Sequence, residues 1–190
     1  MSSLASSRSI VQGASRGIGL AVAEQILVND PKSFVLATCR ESPSETSALT
    51  NLQEKYPGRL EITSLDLESE ASIEKAASKA RSITTDVDRI INVAGILHEE
   101  GLAPEKKLSD ITPSSFEKVM RVNALGALLV AKWFSPLLTK VRPSLFVNIS
   151  ARVGSISDNQ LGGWYSYRCS KAALNMITRN LSIELKRSLP

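Results

Sequence analysis

The sequence holds one histidine, two cysteines and few aromatic residues, 5% in all. With His98 alone, a serine–histidine triad is removed unless that residue serves, and its setting, LHEEGLAPEKK, reads as a polar loop. Cys39 and Cys169 lie far apart without paired or metal-like spacing, so neither a disulfide framework nor a structural zinc site is supported, and a cytoplasmic protein is expected. Long hydrophobic runs are missing too. ALGALLVAKWF carries a lysine and is too short to cross a bilayer, and MSSLASSRS lacks the apolar core of a secretory signal, so no membrane partner is expected. Acids are scarce toward the C-terminus: from Lys132 onward nine Lys/Arg stand against Asp158 and Glu184, and the whole chain carries +4. No basic run is interleaved with aromatics, so this is a solvated basic face and not a nucleic-acid surface.

What is present is a rhythm. In 190 residues with 43% hydrophobic content, enough for one domain with a buried core, short apolar runs alternate with helical spacing. SIVQG (Ser9–Gly13), SFVLATC (Ser33–Cys39), LEITSLD (Leu60–Asp66), RIINVAG (Arg89–Gly95) and LFVNIS (Leu145–Ser150) read as strands. Helices are predicted over about Gly17–Val28, Ser44–Lys55 and Ser72–Ile83. A fourth, capped by Ser114 or Thr112, runs to Phe134, and a fifth spans about Trp164–Leu185. The alternation predicts βαβ units and a parallel sheet. A crossover helix should lead into a further strand, whereas the fifth leads only to KRSLP, which reads as a doubly wound domain cut off after that helix. The absent segment is then a second source for the acid-poor end.

QGASRGIG sets Gly13, Gly17 and Gly19 between the first strand and the first helix, with Ser15, Arg16 and Ile18 among them. Such a turn lets backbone N–H groups approach a pyrophosphate at a helix N-terminus, and its alternative is close strand–helix packing. The second strand ends TCRE, with Arg40 where a carboxylate would bind a ribose 2′-hydroxyl. Arg16 and Arg40 together favour NADP(H) over NAD(H), against a reading as two surface arginines. Asp66, followed by Leu67, is placed to accept from an adenine amino group, although acids also form turns there.

The glycine turn, NVAG (Asn92–Gly95), Asn123, NIS (Asn148–Ser150) and YRCSK (Tyr167–Lys171), in that order, resemble the short-chain dehydrogenases/reductases from Ser9 to the end of the chain. ATCRE, SARVGSI and GGWYSYRCSKAALN look most like the sniffer and C-factor type carbonyl reductases of that family. The resemblance implies a Rossmann-like doubly wound α/β domain over residues 1–190, strand order 3-2-1-4-5, with the family's last two strands missing. Tyr167 and Lys171, four apart, share a helix face, whereas Tyr165 and Lys171 diverge. An ammonium beside a phenol, with a positive nicotinamide, favours phenolate, so Tyr167 is the proton shuttle and Lys171 its partner. By resemblance Lys171 also holds the nicotinamide ribose, Asn123 distorts its helix and anchors a proton-relaying water, and Asn92, Ala94 and Gly95 line the cofactor. The implied reaction is hydride transfer between NADP(H) and a small-molecule carbonyl or alcohol.

Two positions depart from the family pattern. The register of its catalytic serine falls on Ala151, which leaves Ser150, one residue early, as the expected hydroxyl, with Ser155 as a further possibility. Gln12 replaces a threonine that braces the glycine turn. Without a sixth strand, the fifth becomes an edge and its helix exposes apolar surface, which favours self-association or pairing with full-length relatives. Three readings remain open: a carbonyl reductase, a catalytically impaired NADP-binding module that associates with relatives, and an incomplete chain without a stable fold.

Overall fold

The computed structural model describes residues 7–41 and 47–188. Five parallel strands, β1 (Arg8–Gln12), β2 (Phe34–Cys39), β3 (Leu60–Ser64), β4 (Arg89–Asn92) and β5 (Leu145–Asn148), form one sheet in the order β3-β2-β1-β4-β5. The helices between them are α1 (Gly17–Asn29), α2 (Ala48–Lys55) and α3 (Glu70–Ile83), then α4 (Pro113–Met120) and α5 (Ala127–Phe134). Tyr165–Ser188 forms α6 after β5.

Side-chain alternation along each strand feeds two cores. Val11, Val35 and Ala37 meet Ala23 and Leu27 of α1 and Leu49 and Leu52 of α2. Their strand neighbours Ile10, Leu36 and Ile90 face the opposite way, onto Ile73, Ala76 and Ala80 of α3 and Val130 and Phe134 of α5. The small alanine stripe of α3 lets that helix lie close to the sheet. Three helix starts carry side-chain caps: Ser47 accepts from Thr50 N–H, Ser69 from Ser72 N–H, and Thr112, one of the two expected candidates, from Ser115 N–H. The predicted start of α2 at Ser44 lies outside the described residues. In place of one long fourth helix, a π turn over Arg121–Gly126 separates α4 from α5.

At the sheet end opposite the glycine turn, Asp88 joins three strands. Its carboxylate accepts from Arg8 N–H at 2.7 Å and from Arg142 Nε and Nη2 at 2.5 and 3.2 Å, and Arg142 also meets Asp86 at 2.8 Å. The Thr139 hydroxyl, then Arg142, hold Asp86 below its ordinary value. Its contribution to stability is therefore full above the ordinary carboxylate range and is lost as pH falls through its lowered value. Asp88→Ala leaves Arg8 N–H and two of the Arg142 donors without their acceptor, Asp86 still pairing with Arg142, and is expected to lower unfolding free energy by about 2 kcal/mol in urea titration. A loss no larger than that of a surface substitution would contradict this role. Among the described residues, no helix is long and apolar enough to cross a membrane.

Candidate active site

The carboxyl ends of β1, β2 and β4 meet at the glycine turn. Gly13 and Ala14 N–H both donate to Thr38 O, at 3.1 and 2.8 Å, which ties the turn to β2. Gly13 has φ +80, and a Cβ there would stand 2.6 Å from the Ala94 methyl, so only glycine lets the two chains lie together. Gln12 spans the same gap. Its Oε1 accepts from Ala94 N–H at 3.1 Å, so the departure from the family's threonine replaces one brace with another.

Unlike α2, α3 and α4, α1 starts without a side-chain cap. The first N–H groups of Gly17, Ile18 and Gly19 therefore have no side-chain partner, and the helix end favours an anion. Ser15, Arg16 and Arg40 are exposed around it. Asp66 is fixed by its own amide, which donates to Ser72 Oγ at 3.0 Å, while its Oδ1 accepts from Glu68 N–H at 3.0 Å. Leu67 is buried, and a Cβ on Gly126 of the π turn would come within 2.8 Å of it. Among the described residues, Asn92 Oδ1 is buried without a hydrogen-bond partner. A glycine turn closed on Ala94, a helix start without a side-chain cap and two exposed cations fit the pyrophosphate of a nicotinamide dinucleotide.

The helix distortion expected at Asn123 is the π turn itself. Asn123, 1% exposed, accepts from Ile96 N–H at 2.7 Å and donates through Nδ2 to Ile96 O at 2.8 Å and Ser170 Oγ at 3.1 Å. The amide thereby fastens the chain after β4 to α6. Lys171, 4% exposed, donates from Nζ to Ile149 O at 3.0 Å and lies 5.6 Å from the centroid of the Tyr167 ring. A Cβ on Gly95 would stand 3.4 Å from that nitrogen, so Gly95 and Tyr167 both lie beside the Lys171 amine. Burial pushes the Tyr167 phenol up and the Lys171 amine down. Desolvation thus works against the phenolate that the lysine charge and a bound nicotinamide are expected to favour.

Past β5, the Ser150 hydroxyl donates to Asn175 Oδ1 of α6 at 2.6 Å. Ala151 follows with extended backbone, φ −151 and ψ 150, so its methyl points to the other side. Ser155 accepts from Asp158 N–H at 3.3 Å and lies 3.4 Å from Ser157 Oγ. Neither hydroxyl is hydrogen-bonded to Tyr167 in this arrangement. His98 is exposed in a loop, as its sequence setting suggests.

Sequence reasoning missed several partners. Ser170 holds Asn123, Asn175 holds Ser150, and Asn92 Nδ2 donates at 3.0 Å to Asn148 Oδ1, whose own Nδ2 donates at 2.9 Å to Thr178. Glu105 packs against the start of α6. Each lies far along the chain from the group it serves, so no spacing signals it.

Residues 8–188 match the short chain dehydrogenase family. C-signal of Myxococcus xanthus is 37% identical over 103 residues, 54% of this chain and 59% of that protein. The NADPH-bound carbonyl reductase from chicken fatty liver superposes with TM-score 0.85 at 32% identity, over 96% of this chain and 75% of that one. Carbonyl reductase Sniffer of D. melanogaster does so with TM-score 0.83 at 26% identity, over 96% and 76%. Strand order, glycine turn and matched residues agree, and the chain belongs to the short chain dehydrogenase family.

Proposed function

We propose that this chain is an NADP(H)-dependent carbonyl reductase acting in the cytoplasm on a small-molecule carbonyl. The observation that carries the reading is a buried Lys171 amine 5.6 Å from the Tyr167 ring centroid, beside an uncapped α1 and a glycine turn closed on Ala94. Gly13, Ser15, Arg16, Gly17, Ile18 and Gly19 hold the pyrophosphate, Arg16 and Arg40 face the 2′-phosphate, and Asp66 with Leu67 borders the adenine. Asn92, Ala94 and Gly95 line the ribose and nicotinamide. The bound cofactor supplies the hydride.

Tyr167 donates its phenolic proton to the carbonyl oxygen as negative charge builds there. Lys171, held by Ile149 O, keeps a positive charge beside the phenol and restores the proton, with Asn123 steadying the crevice. Ser150 joins as a second donor only by exchanging Asn175 for the substrate oxygen. Exposed Leu145 on β5 and Met176 and Ile183 on α6 support association with a second copy or a longer relative.

Titration with NADPH should quench or shift cofactor fluorescence at lower protein concentration than titration with NADH. Arg40→Ala should bring the two curves together. An equal response to both cofactors, or to neither, would remove the cofactor assignment.

A further inference from the structure

Several contacts fasten the chain between β4 and α4, among them the Glu99–Lys118 ion pair and three hydrogen-bonded anchors. Two belong to the site above: Gln12 holds Ala94, and Asn123 holds Ile96. The third is Glu105, 5% exposed, a buried carboxylate that neither the cofactor cleft nor the proton path uses. Its carboxylate accepts from the Ser166 hydroxyl and, at 3.3 Å, from Ser166 N–H. Its own carbonyl accepts from Trp164 N–H at 2.6 Å. Ser166, 2% exposed, directly precedes Tyr167.

The approach to α6 needs such a clamp. Gly162, Gly163 and Trp164 have φ of +65, +64 and +51, three successive left-handed residues. Glycine takes this conformation freely, whereas a tryptophan holds it only where its surroundings fix it. The Glu105 carbonyl bond is one such fixture, and Arg168 adds another by donating from Nε to Gly163 O at 3.0 Å. The Trp164 ring then meets the Tyr167 ring edge-on, with centroids 6.3 Å apart. A carboxylate on the first N–H groups of α6 also complements the helix end.

We propose that Glu105 is a positioning residue for Tyr167: seated on Ser166 and Trp164, it fixes the first turn of α6 so that the phenol stays beside Lys171. This rests on Tyr167 being the proton donor. Glu105 touches neither cofactor nor reacting atoms and acts through the helix start alone. Small displacements of a reacting group lower rate steeply, so release of this turn falls on the chemical step.

The experiment uses the whole chain with Glu105→Ala, Glu105→Gln, Ser166→Ala and the Glu105→Ala/Ser166→Ala pair, with 4-nitrobenzaldehyde as the carbonyl probe. Glu105→Ala should lower kcat by about 30-fold while KM for NADPH stays unchanged, with a modest fall in Tm because Ser166 loses its buried acceptor. The primary isotope effect with NADPH deuterated at the transferred position should rise. Glu105→Gln, which keeps an acceptor, should recover most of the rate, and the double variant should be no slower than Glu105→Ala alone. A fall confined to KM or Tm, or additive losses in the double variant, would overturn the proposal. Amide exchange supplies a readout independent of turnover: Ser166 and Tyr167 should exchange about tenfold faster in Glu105→Ala, with β1 to β4 unchanged. Unaltered protection there would overturn the proposal even for a chain that reduces nothing, whereas failure to bind NADPH strikes only the functional reading beneath it.

Discussion

Replacing Tyr167 by phenylalanine will lower kcat for carbonyl reduction by roughly 10³-fold and leave NADPH affinity unchanged. The phenylalanine ring keeps the surface that lies 5.6 Å from the Lys171 amine, so packing survives and only the transferable proton is removed. Burial pushes the phenol up and the lysine down, which assigns the alkaline limb of the rate profile. Lys171 loses its proton at a lower pH than an ordinary lysine, while Tyr167 stays protonated beyond the ordinary phenol range. An alkaline fall in kcat is therefore expected to follow the lysine, which burial pushes down, and Lys171→Arg, which does not titrate there, should move the limb upward. Stopped-flow single turnovers across alkaline pH separate the two groups. A Tyr167→Phe variant that retains its rate would place the donor elsewhere.

Ala151→Ser is expected to raise kcat/KM, by at least about 10-fold, because a second donor at a developing oxyanion acts directly on the transition state. The present arrangement offers few alternatives. The Ser150 hydroxyl already donates to Asn175, which leaves it only lone pairs to present to a carbonyl oxygen that also accepts. Ala151 has extended backbone and faces the side away from that bond, so a hydroxyl there would be free. Ser150→Ala serves as the control. If it costs as much as Ala151→Ser gains, Ser150 does release Asn175 and polarises the substrate itself. No gain from Ala151→Ser, with the fold intact, would show that Tyr167 acts alone by design of the crevice and not for want of a hydroxyl.

The sheet was legible because both of its faces are buried. Ile10 and Val11, or Leu36 and Ala37, must be apolar in succession for two helical layers to cover them, and that pattern survives in the bare sequence. Strand ends were less so. The expected strands ran on to Asp66, Gly95 and Ser150, whereas pairing stops at Ser64, Asn92 and Asn148, where the chain leaves the sheet to build the cleft. The long fourth helix also failed as one unit, because periodicity does not register the extra residue that a π turn inserts around Asn123. In the site, Tyr167 and Lys171 were readable from their four-residue spacing on one helix. Glu105 and Ser166, 61 residues apart, were not, since only tertiary contact joins them. Burial around the pair, which acts against the charge of either group, is a tertiary property that spacing does not register.

The fastening of the segment after β4 has a further consequence. With Ala94, Ile96 and Glu105 anchored, the stretch from residue 97 to 104 closes on itself, Glu99 and Leu102 exchanging two backbone bonds of 3.0 Å across Gly101. Glu99 is paired with Lys118 of α4 and Leu102 is buried, so change is tolerated at the exposed tip, Glu100 and Gly101, between those two held residues. That makes it the natural place to graft new selectivity beside an unaltered reaction centre.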